Sequence, residues 1–259
     1  MRSPAALLVA STFLTAPSAQ LPDWASIPSP PGATIRLEQS WALVQDGTTF
    51  RAFSCVNRTW STLLTLNPTE LTVLNEAFLL RDGQVYHAFA PRLGRWVSQQ
   101  VWDPNARIVP LVSPQSWLSV VVDGSSVHVF QAIDGTWTTV VCAGPPTVTM
   151  GTKCALVDDG QALHAVSAFY GTPVRLADAS GLAVVIGVFG NSAVVFSNGR
   201  LHGFSAYRNQ WATMPLTFAP TVRAGNAQAA FVAIEGEPNA VTFFSGHTGA
   251  FHRVATADP

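Results

Sequence analysis

Apolar and polar residues alternate along short stretches of this chain, as in Val127-His128-Val129-Phe130, and no window sustains a helical period. Between the stretches stand tight-turn dipeptides: Asp46-Gly47, Asp82-Gly83, Asp123-Gly124, Asn198-Gly199 and Glu235-Gly236. Such pairs favour two-residue hairpins. Downstream of each turn, a Phe is followed seven positions later by a second aromatic residue: Phe53–Trp60, Phe89–Trp96, Phe130–Trp137, Phe204–Trp211 and Phe244–Phe251. A degraded sixth copy carries Asp159-Gly160 with Val166 and Pro173 in the Phe and Trp positions. Turn-to-turn spacings are 36, 41, 36, 39 and 37 residues, the period of a small repeated β unit.

Each unit predicts four short strands. In the second unit these are 77–80, 84–90, 95–101 and 107–112, with a turn at Arg92-Leu93-Gly94. Repeated four-stranded units of about 40 residues predict an all-β fold, a six-bladed β-propeller of four-stranded antiparallel blades over residues 33–259. The last unit supplies three strands, 229–234, 240–245 and 250–255, and a lone strand, 33–38, precedes the first turn. The expectation is that 33–38 completes the sixth blade and closes the ring, which covers the edges of an open sheet.

The Phe-x6-Trp spacing across a hairpin resembles kelch-type propeller repeats, and the resemblance spans residues 33–255. The glycine doublet of kelch units is replaced here by Asp-Gly. Kelch-type propellers include interaction scaffolds, adhesion modules and oxidases, so the resemblance implies an architecture and leaves the function open.

Residues 1–19 read as an export signal: Arg2, an apolar stretch over 5–13, and Ala16-Pro17-Ser18-Ala19 as a small-residue cleavage region. Residues 20–32 are a Pro-rich linker. A secreted or periplasmic location follows as an expectation. Charged residues are 11% of the chain and the net charge is −1, which leaves no basic field for nucleic acid. No later segment has the apolar length of a transmembrane helix. Of 14 cationic residues only Lys153 is a lysine, an imbalance that reads as codon usage. Three cysteines are an odd count for an exported protein. Cys142 and Cys154 flank one outer strand and form the candidate disulfide, with Cys55 left free; three reduced core cysteines are the alternative.

His87, His128, His164 and His202 each stand two residues before the repeat Phe or its substitute. A metal ring is the tempting reading, but packed sheets lie about 10 Å apart and metal–nitrogen bonds need about 2 Å. Packing between blades is the expectation, with no metal and no cofactor. The repeated tryptophans lack the recurring polar clamp of a sugar-stacking site and also read as packing. The turn aspartates are spent on turns, and the remaining carboxylates are scattered without an acid–base spacing. Only three tyrosines exist, and no phosphate loop, serine nucleophile elbow or CxxC pair appears. Asn57-Arg58-Thr59 matches a glycosylation acceptor.

The loops leading into each turn-bearing hairpin read Gln39-Ser40, Asn75-Glu76, Gln115-Ser116, Thr152-Lys153, Asn191-Ser192, and Asn226 with Gln228. In a propeller these loops gather at one mouth of the central channel. The candidate ligand-binding residues are therefore Gln39, Glu76, Gln115, Lys153 and Asn191, weighed against ordinary polar loop composition. The function this supports is an exported, non-catalytic binding or scaffolding module for an unknown protein or a small hydroxyl-rich ligand. The alternative is a secreted hydrolase, lyase or lactonase using the mouth, with Glu76 and Lys153 as its ionisable pair.

Overall fold

The computed structural model describes residues 30–74, 76–111, 113, 115–176, 183–216, 220–225, 229–234 and 240–255, with side chains described outside 220–240 and 255. The export signal, nearly all of the linker, Asn75, Asp178, Asn226, Gln228, Glu235-Gly236 and Glu237 lie outside the described residues.

Every described element is a strand, and the strands form six four-stranded antiparallel sheets in sequence order. Sheet 1 runs from Thr34–Leu37 to Thr59–Leu64, sheet 2 from Pro68–Val73 to Arg95–Gln100, and sheet 3 from Arg107–Ile108 to Thr136–Val141. Sheet 4 runs from Thr147–Met150 to Val174–Leu176, sheet 5 from Val184–Val188 to Gln210–Pro215, and sheet 6 from Pro220–Gly225 to Ala250–Ala255.

The seven-residue spacing has a direct geometric cause. Ser54 pairs with Thr59 across a four-residue turn, so the next pair inward is Phe53 with Trp60. The same pairing sets Phe89 against Trp96, Phe130 against Trp137, Phe204 against Trp211 and Phe244 against Phe251. Ring centroids in the five pairs are 5.0–5.5 Å apart and tilted by 45–59°, within the range aromatic pairs prefer. At the other end, Gly47, Gly83 and Gly124 take φ of 57–60° as the first of two loop residues, the position at which a type II′ hairpin takes glycine.

The core is a series of interfaces between neighbouring sheets. Leu43, Phe50, Phe78 and Leu80 join sheets 1 and 2; Leu79, Ala88, Phe130 and Ala132 join sheets 2 and 3. Equivalent clusters join 3 to 4, 4 to 5 and 5 to 6. Two sets of hydrogen bonds repeat across these interfaces. The fourth-strand indoles donate backwards: Trp96 Nε1 to Ser61 O at 3.3 Å, Trp137 Nε1 to Val97 O at 3.4 Å and Trp211 Nε1 to Val174 O at 3.2 Å. The last side chain of the third strand donates forwards: Ser54 to Pro91 O, Gln131 to Tyr170 O, Ser167 to Ala206 O and Ser205 to Gly246 O. Gly203 is required by close approach, because a Cβ there would enter the ring of Phe244 in the next sheet.

The strand grouping differs from the sequence expectation by one strand. The stretch 107–112 was expected to end unit 2, but Arg107–Ile108 pairs with Leu118–Asp123 and opens sheet 3. Thr34–Leu37 likewise pairs with Trp41–Asp46 of its own sheet (Thr34↔Gln45, Leu37↔Ala42), and sheet 6 has its own first strand in Pro220–Gly225. The expected closure by strand 33–38 is thereby corrected. The turn aspartates supply the reason. Asp123 accepts from Trp102 N (3.0 Å) and Asp103 N (2.6 Å), and Asp82 accepts from Leu66 N (3.0 Å) and Asn67 N (2.6 Å). Each carboxylate pulls the connection arriving from the preceding sheet over its own hairpin, which delivers the next strand to that sheet.

His87, His128, His164 and His202 each bond a side chain of their own sheet. His128 Nε2 lies 3.2 Å from Asp123 Oδ2, and its Nδ1 lies 2.9 Å from Thr139 Oγ1 on the fourth strand. His87 repeats the link to Ser98 (2.8 Å) and His202 to Thr213 (3.0 Å), while His164 Nε2 meets Asp159 Oδ2 at 3.3 Å. Burial pushes the Asp123 carboxyl up, but the N–H groups of Asp103 and Trp102 and the His128 ring outweigh it and hold the group below its ordinary value. Asp159 is lowered likewise, burial being outweighed by the N–H groups of Gln161 and Ala162 and by His164. Burial lowers His87 against the opposing pull of Asp82.

Trp137→Phe keeps a six-membered ring but loses the pyrrole half of the indole and the bond to Val97 O, so its cost is expected to be about 1–3 kcal/mol; Trp137→Ala also empties the interface and should cost about 3–5 kcal/mol. Urea titration of the two variants separates these values. Acid should destabilise the fold in two stages. The folded His87 resists protonation, so stability falls as pH drops below about 6.5. The depressed Asp123 and Asp159 contribute stability above the ordinary carboxylate range, and it is lost as pH falls through their folded values. Thermal scans from pH 7 to 3 should show both stages, with the acid stage shallower in Asp123→Asn/Asp159→Asn.

Candidate functional site

Antiparallel pairing gives every sheet two ends. At one lie the second-to-third turns with their aspartates. At the other lie the loops into the second strand and the turns into the fourth. Backbone bonds define equivalent positions at this second end: Cys55 N, Ala132 N, Ala168 N and Ala206 N donate to the carbonyls of Ser40, Trp117, Lys153 and Asn191. Pairing of Phe78 with Phe89 puts Glu76 opposite Pro91, the same position in sheet 2. One residue into each following turn stand Val56, Arg92, Ile133, Phe169, Tyr207 and His247.

These two rows make a continuous belt over five sheets. Arg92 Nε donates to Glu76 Oε2 at 3.0 Å, and its guanidinium lies 5.7 Å from the Trp117 ring centre. The Lys153 ammonium lies 5.8 Å from the same ring, 6.0 Å from Phe169 and 5.3 Å from Tyr207. It also donates to Tyr207 Oη at 3.0 Å. Phe169 stacks on Tyr207 at 4.6 Å, and His247 meets Tyr207 edge-on at 5.5 Å. Inter-sheet backbone bonds fix the spacing, from Trp117 N to Thr152 O (2.7 Å) and from Lys153 N to Gly190 O (2.6 Å).

Buried polar atoms lacking a partner among the described residues concentrate at the same end: Ser40 Oγ, Trp41 Nε1, Ser116 Oγ, Asn191 Oδ1 and Ser192 Oγ. A buried polar group left unpaired costs about 1–3 kcal/mol, so their accumulation at one end needs an account.

Of the residues singled out from sequence, Glu76 and Lys153 are members of the belt, joined through Arg92 and Trp117. Asn191 holds the equivalent position in sheet 5 and is buried. Gln39 and Gln115 are exposed, and neither is bonded to another member of the set among the described residues. Gln115 lies two positions before the register residue, which is Trp117. Sequence reading missed Arg92, Trp117, Phe169, Tyr207 and His247. Counting six residues back from Asp46, Asp82, Asp123 and Asp159 returns Ser40, Glu76, Trp117 and Lys153; seeking polar residues in the loops instead displaced the third.

The candidate disulfide is corrected. Cys142, Cys154 and Cys55 are all free thiols. Cys142 sits at the aspartate end, its N–H on Ser125 O, whereas Cys154 heads the second strand of sheet 4 beside Lys153. A strand of five residues spans about 17 Å, far beyond the 7 Å limit for bridged Cα atoms. Burial pushes the Cys154 thiol up to about 12. Among the described residues no cluster of three or more His, Cys, Asp or Glu side chains could hold a metal ion.

No protein-family profile matches the chain, and no curated protein matches it in sequence. Solved structures do resemble it. Kluyveromyces lactis Hsv2 aligns at 11% identity over 90% of this chain and 88% of its own, with a TM-score of 0.31. PorZ, a surface component of the type-IX secretion system of Porphyromonas gingivalis, aligns at 9% identity over 87% of this chain and 32% of its own, with a TM-score of 0.35. Apo AztD from Citrobacter koseri aligns at 13% identity over 88% of this chain and 74% of its own, with a TM-score of 0.32.

Proposed function

We propose that this chain is a non-catalytic binding module of β-propeller type, exported from the cell, whose ligand sits on the belt running from Glu76 to His247. The observation that carries this reading is the convergence of five sheets on one polar and aromatic surface, at the end where buried polar atoms lack partners. A stabilising role alone does not call for that surface, because the opposite end already supplies the Asp–His–Ser/Thr links. Export rests on the 1–19 pattern. The enzymatic alternative is weakened because Glu76, its candidate acid or base, is held by Arg92 at 3.0 Å. A small hydroxyl-rich ligand or the surface of a partner protein fits the remaining donors, acceptors and ring faces.

The proposal includes a six-bladed ring in which sheet 6 packs on sheet 1. Trp60 Nε1 in sheet 1 is buried without a partner among the described residues, unlike the indoles of Trp96, Trp137 and Trp211. Those three bond the residue after the preceding sheet's aromatic position, and in the proposed ring the equivalent position before Trp60 is His252.

Trp60→Ala should then cost the same amount as Trp96→Ala, about 3–5 kcal/mol, in urea titration; a silent Trp60→Ala beside a costly Trp96→Ala would leave the ring open. For the binding surface, a Trp117→Ala/Tyr207→Ala double variant should retain its cooperative melt yet lose the ligands that wild type captures on an array of glycans and small organic acids. Retention of those ligands would move the functional surface elsewhere, and Gln84→Ala at the opposite end serves as the control.

A further inference from the structure

We propose that residues 21–29 of this chain lie as a strap across the aspartate end of sheets 1 to 3, the end opposite the belt. The four most exposed large apolar side chains among the described residues stand there: Leu66 (94% exposed), Trp102 (78%), Leu64 (74%) and Val141 (74%). Their positions repeat. Leu64 and Val141 each lie four residues past the fourth-strand tryptophan of their sheet, and Leu66 and Trp102 each lie six past theirs. The backbone holds the second pair in place, because Leu66 N donates to Asp82 and Trp102 N to Asp123, both at 3.0 Å. Asp82 and Asp123 belong to adjacent sheets, so the two side chains recur at the sheet spacing of about 10 Å. Fixed apolar groups this exposed mark a surface that something covers.

The chain's own point of entry names the occupant. Strand Thr34–Leu37 starts at this end, since Thr34 pairs with Gln45 beside the Asp46-Gly47 turn. Just before it, Ala33 N donates to Pro30 O at 3.1 Å around Pro31 and Gly32, whose φ is 91°. Proline at the second position and a positive-φ glycine at the third are the type II pattern. The preceding chain is thereby held at the rim and does not leave along the strand axis. It is also turned aside from the open edge of Thr34–Leu37: Pro28 and Pro30 carry no N–H to donate, and type II turns splay hairpin arms. The side chains of the segment fit the surface. Leu21, Trp24 and Ile27 recur every third residue in a stretch that holds Pro22 and Pro28. In the extended helix that proline favours, every third side chain returns to one face at intervals of about 9.3 Å, close to the spacing between sheets. Nine such residues reach about 28 Å, enough to cross three sheets. Docking of a proline-rich segment on exposed aromatic rings is a recurring mode of recognition.

Incorporation of 5-fluorotryptophan into the full chain gives Trp24 and Trp102 their own 19F signals, assigned by Trp24→Phe and Trp102→Phe. A soluble gadolinium chelate should relax both signals weakly in the wild type. In Leu21→Ser/Trp24→Ser/Ile27→Ser the Trp102 signal should become as sensitive to the chelate as free tryptophan. Chymotrypsin, which cuts after accessible aromatic residues, reads the other partner. Cleavage after Trp24 should be at least about tenfold faster in Leu66→Ser/Trp102→Ser, because the rate follows the undocked fraction. A Trp102 signal equally open to the chelate in wild type and segment variant overturns the proposal, as does equal cleavage after Trp24 in wild type and surface variant. Protection of Trp102 that survives in the segment variant and falls on dilution assigns the surface to a second copy of the chain. Protection that appears only with phosphatidylcholine vesicles assigns it to a lipid surface, and either result overturns the strap. If Leu66→Ser/Trp102→Ser fails to melt cooperatively, the segment variant, whose changes lie outside the sheets, decides alone.

Discussion

A four-stranded sheet with strands of six residues or fewer cannot bury either of its faces alone, and everything else in this chain follows from that constraint. Apolar residues such as Phe50, Phe78 and Phe130 become buried only when the next sheet arrives, so each sheet is stable to the extent that its neighbours are present. The cross-strand aromatic pair answers this need with one unit of sequence. Phe faces the core, and its partner tryptophan reaches the preceding sheet with both ring surface and indole N–H. The forward-donating serines perform the complementary task at the strand ends.

The two ends of the sheets divide the labour. At the aspartate end, carboxylates hold incoming connections and histidines tie second strand to fourth, which spends the polar side chains on each other and on the backbone. At the opposite end the equivalent positions vary from sheet to sheet: Ser40, Glu76, Trp117, Lys153 and Asn191. Where the backbone bond is kept but the side chain changes, stability is already supplied by the main chain. The side chains are then free to build a surface.

Much of the architecture was legible in the sequence because hairpin geometry is local. A Phe and a Trp seven residues apart across a turn can hardly avoid facing each other, and Asp-Gly at regular intervals marks where strands reverse. Strand membership was harder to read. Whether Arg107-Ile108 ends one sheet or opens the next depends on hydrogen bonds from Trp102 and Asp103 to Asp123, some twenty residues onward, and no local pattern reports it. The belt was half legible for a related reason. Glu76 and Lys153 stood out by charge, but Arg92, Phe169 and Tyr207 come from the other turn of each sheet, and only the strand register brings the two rows together. The cysteine pair misled because closeness along the chain was taken for closeness in space, when a strand's length lies between them.

The inter-sheet bonds also have a direction. Indoles point to the sheet before and hydroxyls to the sheet after, so the two faces of any sheet differ, and each complements the opposite face of its neighbour. Head-to-tail contacts of this kind have no built-in terminus: they end by turning into a ring or they continue without limit. A chain that lost a sheet through deletion would present the same complementary faces with the wrong rotation between them, and would be driven to extend into fibres. The direction of one tryptophan N–H thus bears on the number of repeats this gene can tolerate.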